Sequence, residues 1–157
     1  MERIVLYRPE LDELDFRQRL LSDPETMAYN HAYGGTISFP AERWVDWYAR
    51  WVGDGTGERF YRYLYCEGEK RPVGEAAFHY DNELEAYICD VIVSASDRGK
   101  GFGRQGLELL CASAKENGVK RLCDNIAIDN PSLSLFLSVG FQERFRNSEY
   151  ILVEKEL

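Results

Sequence analysis

A run of glycines between a strand-like segment and a helix-like segment constrains this chain more than any other feature. The stretch Arg98-Gly99-Lys100-Gly101-Phe102-Gly103 follows the apolar run Val91-Ile92-Val93 and opens a helical pattern that extends to Asn117. Because glycine has no Cβ, the backbone can turn sharply there and leave its N–H groups uncovered in front of a helix N-terminus. Arg98, Lys100 and Arg104 add positive charge. The pattern predicts a binding site for a phosphate group.

The size and composition of the chain predict one folded domain, residues 1–157. This length is enough for a single hydrophobic core and too short for two. A hydrophobic content of 45% and an aromatic content of 13% are typical of a globular protein. The net charge of −8 disfavours nucleic acid as a partner, because nucleic-acid binding requires a basic surface. The same charge favours cationic partners such as amines, although solubility alone also accounts for it.

The four cysteines do not indicate a metal site. Cys66, Cys89, Cys111 and Cys123 form no C-x-x-C pair, and the chain has two histidines. We therefore expect no zinc site, and we expect the cysteines to be small core residues in a reducing compartment. No N-terminal signal segment is recognisable, and no apolar run approaches the roughly 20 residues of a membrane span. These features predict a cytoplasmic protein without a membrane partner.

Apolar periodicity and turn residues together predict the order of helices and strands. Strands are predicted over residues 4–7, 60–66, 73–80, 87–93, 119–128 and 149–153, and helices over 9–21, 40–51, from the glycine loop to 117, and over 131–140. The strands between 60 and 93 are joined by short turns and form an antiparallel meander. One parallel βαβ crossover spans the glycine loop. The predicted fold class is α+β with three layers, α/β/α, around a mixed, mostly antiparallel sheet.

The glycine loop admits a second interpretation. Residues Gly101 to Gly106 read G-x-G-x-x-G, and Asp124 follows about 20 residues later, which is the formal pattern of a dinucleotide site in an NAD-dependent oxidoreductase. That fold requires a long series of parallel βα units. Here an antiparallel meander precedes the loop and one short helix follows it, so a doubly wound sheet does not fit.

Two motifs lie on either side of the helix that follows the glycine loop. The first is Arg98-x-x-Gly101-x-Gly103, and the second is Asp129-Asn130-Pro131-Ser132 with Leu135-Phe136 and Gly140-Phe141 after it. Both resemble motifs of the GCN5-related N-acetyltransferase (GNAT) superfamily, whose pyrophosphate loop the first motif matches. The resemblance covers roughly Val73 to Phe141. It implies a GNAT-like fold, a single acyl-CoA N-acyltransferase domain, a cofactor-binding core at 72–141, and acetyl-CoA (coenzyme A) as cofactor.

The resemblance also implies a role for the residues of the loop and its flanks. In this family acetyl-coenzyme A lies between two splayed parallel strands, with its pantetheine arm along one strand and its pyrophosphate on the loop amides. The implied cofactor-binding residues are Val91, Ile92, Val93, Arg98, Gly99, Lys100, Gly101, Phe102, Gly103, Arg104 and Asn130. Asn130 is in addition expected to cap the short helix.

The implied reaction is direct acyl transfer to an amine, which requires a base. An alkyl ammonium group has a pKa of about 10.4 and must lose a proton before it attacks. Alternation along the strand places Val73, Glu75, Ala77 and His79 on one face, so Glu75 and His79 are the predicted catalytic residues. A solvent-facing Glu75–His79 pair fits the same pattern. Asp90 is a second candidate base, but we expect it to brace neighbouring backbone.

The general acid is left open. Many relatives carry a tyrosine on the short helix, four residues before the Gly-Phe pair, and here that position is Phe136. Either the thiolate leaves unprotonated, or Tyr150, a serine or a water molecule protonates it. The same departure leaves open a non-catalytic acyl-CoA-binding protein of this fold.

Residues 1–58 are expected to form the acceptor side. They include Tyr29, Asn30, His31, Tyr33 and a helical stripe of Trp44, Trp47, Tyr48 and Trp51. A stripe at this spacing is more typical of a core than of a cation-binding box. Aromatic and acidic character together favour a small primary amine, polyamines among them, as the acceptor. A homodimer is compatible with the sequence.

Overall fold

The fold is described from a computed structural model, in which residues 2–53 and 56–157 are placed. The strands are β1 (Ile4–Tyr7), β2 (Arg59–Cys66), β3 (Arg71–Asp81), β4 (Ala86–Val93), β5 (Arg121–Ala127), β6 (Gln142–Arg146) and β7 (Tyr150–Glu156). The α-helices are α1 (Asp15–Ser22), α2 (Trp44–Trp51), α3 (Phe102–Glu116) and α4 (Leu133–Ser138). Short 3-10 helices lie at Leu11–Glu13, Thr26–Tyr33, Ala41–Arg43 and Ala95–Asp97.

The strands form one sheet in the order β1-β2-β3-β4-β5-β7-β6. Neighbouring strands are antiparallel except for β4 and β5, which are parallel and are connected through α3. This confirms the mixed, mostly antiparallel sheet with a parallel crossover at the glycine loop. Because the described part of the chain has one parallel strand pair, a doubly wound dinucleotide-binding sheet is excluded.

Two hydrophobic cores lie on opposite faces of the sheet. On one face, α3 and α4 contribute Leu107, Leu110 and Phe136 to the core. On the other face, the N-terminal helical segments contribute Leu14, Met27 and Trp47, which belong to the same cluster as Tyr61 of β2. Helices therefore flank the sheet on both sides, which confirms the predicted three layers.

Both N-terminal helices begin with a tighter turn than the sequence predicted. The predicted helix over 9–21 is the 3-10 turn Leu11–Glu13 followed by α1, and the helix over 40–51 is the turn Ala41–Arg43 followed by α2. Turns of 3-10 geometry are frequent at helix ends, and apolar periodicity does not distinguish them from an α-helix.

The sequence prediction missed β6. All five of its residues are exposed, and it lies at the edge of the sheet beside β7. Charged side chains on an edge strand discourage pairing with other chains, and they also remove the apolar alternation by which a strand is recognised.

A β-bulge changes the direction of Val73. The register between β2 and β3 shifts between Leu64 and Tyr65. As a result Val73 packs into the core beneath α3, and its predicted place on the Glu75 face was wrong. Ala77 packs on the opposite face, so Glu75, two residues before it, faces the N-terminal helices as predicted.

The aromatic stripe of α2 belongs to the core, as its spacing predicted. Trp47 is buried, and Trp44, Tyr48 and Trp51 pack against the same cluster. The stripe also holds a cation that comes from the chain itself, because the Arg17 guanidinium carbon lies 4.4 Å from the centre of the Trp47 ring.

Candidate active site

The parallel strands β4 and β5 diverge into a wedge. Among the described residues they pair at Tyr87–Leu122 and Ile88–Cys123 and nowhere beyond. On its other side β4 stays paired with β3 as far as Val93. The edge of β4 that faces β5 is therefore without a strand partner from residue 89 to residue 93. An extended ligand can add to such an edge as if it were a strand.

A cavity of about 370 Å³ fills this wedge. Ten of the eleven cofactor-binding residues predicted from the sequence line it, namely Val91, Ile92, Val93, Arg98, Gly99, Gly101, Phe102, Gly103, Arg104 and Asn130. The eleventh, Lys100, is exposed beside the loop. The structure thus brings residues of both predicted motifs to a single cavity.

The glycine loop presents backbone amides to the cavity. Gly99 and Gly101 have φ angles of +79° and +80°, in the left-handed region that glycine adopts without strain. Within residues 2–53 and 56–157, the N–H groups from Gly99 to Arg104 have no protein acceptor. Gly101 immediately precedes α3, so the helix dipole adds positive potential at these amides. The loop therefore has the properties of an anion site.

The last glycine of the G-x-G-x-x-G pattern has a packing role. A Cβ at Gly106 would lie 2.8 Å from two carbon atoms of the Leu64 side chain, on β2. The absence of a side chain lets α3 approach the sheet closely. The resemblance to a dinucleotide fingerprint at this position therefore reflects helix-to-sheet contact.

Two cations of the loop have acidic partners. Arg104 donates to Glu108 at 3.0 Å, one turn further along α3. The Lys100 ammonium lies 3.5 Å from a carboxylate oxygen of Asp97. These side chains supply positive potential near the loop, while the backbone amides remain the unpaired donors.

Asp97 anchors the start of the loop to β3. Its side chain is 4% exposed and receives two hydrogen bonds from Arg71, at 2.6 and 3.0 Å. The bonds from Arg71 hold the pKa of the Asp97 carboxyl below its usual value. The loop is therefore attached to the sheet by a bidentate ion pair.

The 3-10 helix Thr26–Tyr33, here called the bridging segment, crosses the wedge and is attached at both ends. At its start, Arg98 donates through Nη2 to the carbonyl oxygen of Thr26 at 2.8 Å. At its end, the His31 ring nitrogen Nε2 lies 2.7 Å from a carboxylate oxygen of Asp129. Arg98 belongs to the loop after β4 and Asp129 follows β5, so the segment links the two diverging strands.

One carboxylate from each strand faces the wedge. Asp90 on β4 and Asp124 on β5 both line the cavity. Although Asp90 is open to the cavity, desolvation by the surrounding protein, followed by the charge of Glu75, raises its pKa to about 6. Burial and the charge of Asp90 raise the pKa of Asp124 well above its usual value. A carboxyl group whose pKa is raised towards neutrality beside a cavity is suited to accept a proton.

The sequence makes Asp90 a second candidate base that is expected to brace neighbouring backbone, but among the described residues no donor bonds to its side chain. Asp124 entered the sequence analysis only through the dinucleotide pattern. The available signal was the position of Asp124 between Leu122 and Ile126, which are both buried on the same face of β5.

Comparison with protein families decides the relationship of this chain. The model of the acetyltransferase (GNAT) family matches residues 14–141, which is most of the chain. The chain belongs to the GNAT family. A comparison with curated proteins found no match.

Solved GNAT structures share the fold over almost the whole chain. Spermidine N-acetyltransferase from Vibrio cholerae, in complex with CoA and spermine, has a TM-score of 0.79 at 16% identity, covering 98% of this chain and 95% of the other. A phosphinothricin acetyltransferase from Sinorhizobium meliloti, in complex with AcCoA, has a TM-score of 0.78 at 14% identity, covering 98% and 88%. Ribosomal-protein-alanine N-acetyltransferase from Brucella melitensis has a TM-score of 0.77 at 22% identity, covering 98% and 99%.

In this GNAT chain, Glu75 lies behind the cavity wall. It is opposite Ile92, which lines the cavity, but it is 4% exposed and is not itself part of the lining. Its carboxylate accepts a hydrogen bond from the Tyr61 hydroxyl at 2.5 Å and lies 3.6 Å from Nε of Arg17. The alternative of a solvent-facing Glu75–His79 pair is therefore wrong. A catalytic role for Glu75 stays a prediction.

His79 lies at the other end of β3. It is four residues from Glu75, which corresponds to roughly 13 Å along a strand. Its ring contacts Trp51 with the ring centres 5.6 Å apart, and burial lowers the pKa of the imidazole. The structure does not bring His79 and Glu75 together, and the catalytic role of His79 also stays a prediction.

Three further residues from the sequence analysis are Asn130 before α4, Phe136 within it, and Tyr150 on β7. The Asn130 Oδ1 atom accepts a hydrogen bond from the Ser132 N–H at 2.9 Å, which fixes the turn before the helix. Phe136 lines the cavity, with its ring 5.0 Å from that of Phe141. Tyr150 lies on β7 and is not part of the cavity lining.

Within residues 2–53 and 56–157, no helix has the length and apolar character needed to cross a membrane. Over the same residues, no group of three or more His, Cys, Asp and Glu side chains is arranged to hold a metal ion. The four cysteines are buried free thiols.

Proposed function

We propose that this protein transfers the acetyl group of acetyl-CoA to a primary amine of a small molecule. The observation that carries the proposal is the cavity between β4 and β5, which the glycine loop lines and beside which the N–H groups of residues 99–104 have no acceptor among the described residues. Membership of the GNAT family supports acetyl transfer. The CoA and AcCoA present in two of the related structures support the choice of acyl donor.

The residues of the wedge fit acetyl-CoA on physical grounds. The amides from Gly99 to Arg104 would hold its diphosphate, since they combine free donors with the dipole of α3. The open edge of β4 at 91–93 would pair with the amide groups of the pantetheine arm. The Nδ2 group of Asn130 has no acceptor among the described residues and is available to the same arm. When bound, acetyl-CoA supplies an acetyl group activated as a thioester.

Asp90 is the base that the geometry favours. It lines the cavity, its carboxylate is not hydrogen-bonded to any described residue, and its pKa of about 6 leaves it ionised at neutral pH. It can therefore take the proton that the attacking nitrogen must lose. Glu75 is enclosed by Tyr61 and Arg17, so a proton could reach it through Asp90 or water but not directly from the cavity.

The acceptor we propose is a small cationic amine. Asp90 supplies negative charge at the cavity, and Tyr29 of the bridging segment also lines it. The acceptor side that the sequence predicts, residues 1–58, includes positions 1, 54 and 55, which are outside the described residues. The related proteins act on acceptors as different as spermidine and a ribosomal protein, so the fold does not choose among amines. A polyamine is one member of the class.

The experiment that tests the proposal is release of free CoA thiol from acetyl-CoA in the presence of a panel of amines. We expect thiol release that depends on the amine and saturates with it. The matched variant is Gly101→Asp, which places a carboxylate at the anion site and should abolish both CoA binding and turnover. Acceptor-dependent release that persists at the wild-type rate in this variant would contradict the loop assignment.

A non-catalytic acyl-CoA-binding protein is the second candidate. The observation that favours it is Phe136, which lines the cavity without a hydroxyl group. Such a protein would bind CoA, lose that binding in Gly101→Asp, and release no thiol with any amine. The same two assays therefore separate a binding protein from an enzyme.

A further inference from the structure

Few hydroxyl groups face the wedge. Among the described residues that line the cavity, Tyr29 and Ser132 carry one. The phenol of tyrosine, with an ordinary pKa of about 10, is acidic enough to protonate a thiolate, whereas a serine hydroxyl is a much weaker acid. The Tyr29 hydroxyl makes no hydrogen bond with a described residue, so it is free to donate to a ligand.

The bridging segment holds Tyr29 in place over the wedge. Three residues before it, Thr26 is fully buried and tied to the glycine loop by the 2.8 Å bond from Arg98. Two residues after it, His31 is tied to Asp129 on the other side of the wedge. Tyr29 thus lies between two attachments, one to each wall, and its side chain is partly buried in the cavity between them.

The pKa of the Tyr29 hydroxyl depends in part on the charge of Asp90, the proposed base. Burial, and then the charges of Asp90, Glu75 and Asp124, raise the pKa of Tyr29, while Arg98 opposes them. The hydroxyl therefore keeps its proton while Asp90 is ionised. When Asp90 takes up a proton, the largest of these repelling charges disappears, and the hydroxyl becomes a better acid. Proton uptake by Asp90 would therefore favour proton donation by Tyr29.

We propose that the Tyr29 hydroxyl donates the proton to the sulfur that leaves in acetyl transfer, a role that rests on the proposed function. A bond forms between the acceptor nitrogen and the acetyl carbon, and the proton of that nitrogen passes to Asp90. The bond between the acetyl carbon and sulfur breaks, its electron pair goes to sulfur, and the Tyr29 proton follows. Asp90 then returns its proton to the Tyr29 oxygen, so the protein ends unchanged and the products are an amide and a thiol.

The test compares Tyr29→Phe with Tyr65→Phe. Tyr65 lies on β2, is partly buried like Tyr29, does not line the cavity, and its hydroxyl makes no hydrogen bond with a described residue, so it is a matched control. For Tyr29→Phe we expect kcat to fall about 100-fold while KM for the acceptor and the Kd of acetyl-CoA stay within about twofold. Tyr65→Phe should match the wild type in all three quantities.

A binding measurement tests the contact with sulfur without relying on turnover. Calorimetry would give the affinities of CoA and of desulfo-CoA, which lacks the sulfur, at about pH 7 and about pH 9, on either side of an ordinary thiol pKa. A hydroxyl donor favours the thiolate, so the preference for CoA over desulfo-CoA should grow with pH more in the wild type than in Tyr29→Phe, by about tenfold.

The outcomes separate the two proposals. If the wild type releases no thiol with any amine, the proposed function fails, and the desulfo-CoA comparison still decides whether Tyr29 meets the sulfur. If Tyr29→Phe raises KM for the acceptor at unchanged kcat, Tyr29 binds the acceptor and the inference is overturned. It is also overturned if both variants discriminate between CoA and desulfo-CoA as the wild type does.

Discussion

At the scale of single residues, Asp90 is the side chain on which the pH dependence of the proposed reaction rests. A base acts in its ionised form, so the wild-type rate should fall as the pH drops through about 6, the pKa of Asp90. Asp90→Asn should lower kcat/KM at neutral pH by about 10²–10⁴-fold and remove that acidic limb. The measurement is a pH–rate profile of each protein.

Glu75→Gln is the companion variant to Asp90→Asn. The Glu75 side chain is enclosed by Tyr61 and Arg17, whereas the Asp90 side chain is open to the cavity. If Glu75→Gln loses the acidic limb while Asp90→Asn keeps it, the base is Glu75, as the sequence predicts, and the proton reaches it indirectly.

Gly74 is a residue at which the backbone leaves no room for a side chain. A Cβ at this position would lie 2.2 Å from the Ile92 carbonyl oxygen, and a backbone atom within a sheet cannot move aside cheaply. Gly74→Ala should lower the free energy of unfolding by about 1–3 kcal/mol, measured by urea denaturation. Gly103→Ala is the control, because its Cβ would approach the end of the Leu135 side chain at 3.2 Å, which can shift. Equal losses in the two variants would contradict this account.

At the scale of elements, the attachment of the bridging segment to the glycine loop can be tested at Thr26. Its hydroxyl oxygen accepts a hydrogen bond from the Ala95 N–H at 3.0 Å, and the residue is fully buried. Thr26→Val keeps the shape but leaves that N–H without an acceptor, at a cost of about 1–3 kcal/mol of folding free energy. CoA should also bind several-fold more weakly, because the loop loses a support.

The control for this variant is Thr36→Val, which changes an exposed threonine. It should leave both the unfolding free energy and the Kd of CoA unchanged within error. A Thr26→Val protein that is destabilised but binds CoA with wild-type affinity would show that the attachment does not position the loop.

The ion pair between β3 and the loop predicts a loss of stability in acid. The pKa of Asp97 lies below its ordinary value of 3.8 in the folded protein, so the unfolded chain binds more protons as the pH falls. The stabilisation is complete above about pH 5 and is lost as the pH falls through 3.8 towards the folded pKa. Asp97→Asn should lower the unfolding free energy by about 2 kcal/mol at neutral pH and flatten its dependence on pH in this range.

Glu69→Gln provides the comparison for Asp97→Asn. Glu69 also bonds to Arg71, but the pair is exposed, with 39% of the Glu69 side chain accessible. Exposed ion pairs contribute little, so we expect a change below about 0.5 kcal/mol. A larger effect from Glu69→Gln than from Asp97→Asn in urea denaturation would overturn the assignment of the anchor.

The sequence predicted some elements better than others, because the patterns that can be read from it involve residues close together in the chain. The glycine loop and the strand that ends at Val93 were predicted because turn chemistry and apolar runs are local. The two walls of the wedge come from β4 and β5, which meet through a parallel pairing that no local pattern reveals. For this reason the juxtaposition of Asp90 and Asp124 was missed, and so were the contacts of the bridging segment with residues far away in the chain.

At the scale of the whole molecule, binding of the proposed cofactor should raise thermal stability. A ligand at about 100 times its Kd stabilises the folded state by about 2.7 kcal/mol, which for a chain of this size corresponds to an increase in Tm of roughly 5–10 °C. We expect this shift with CoA and acetyl-CoA in differential scanning fluorimetry and none in the Gly101→Asp variant. Stabilisation by NADH but not by CoA would contradict the assignment of the wedge.

The molecule also carries a net charge of −8, which repels a phosphate-rich ligand at long range. Near the glycine loop, fixed backbone dipoles offset this repulsion. The side chains of Arg98, Lys100 and Arg104 contribute less, because each already interacts with another group of the protein. The dipoles act over a few ångströms, so the electrostatic potential further from the protein stays negative. An acidic enzyme of this design would hold a polyanion tightly once it has arrived, would capture it slowly, and would draw cationic acceptors towards its surface at the same time.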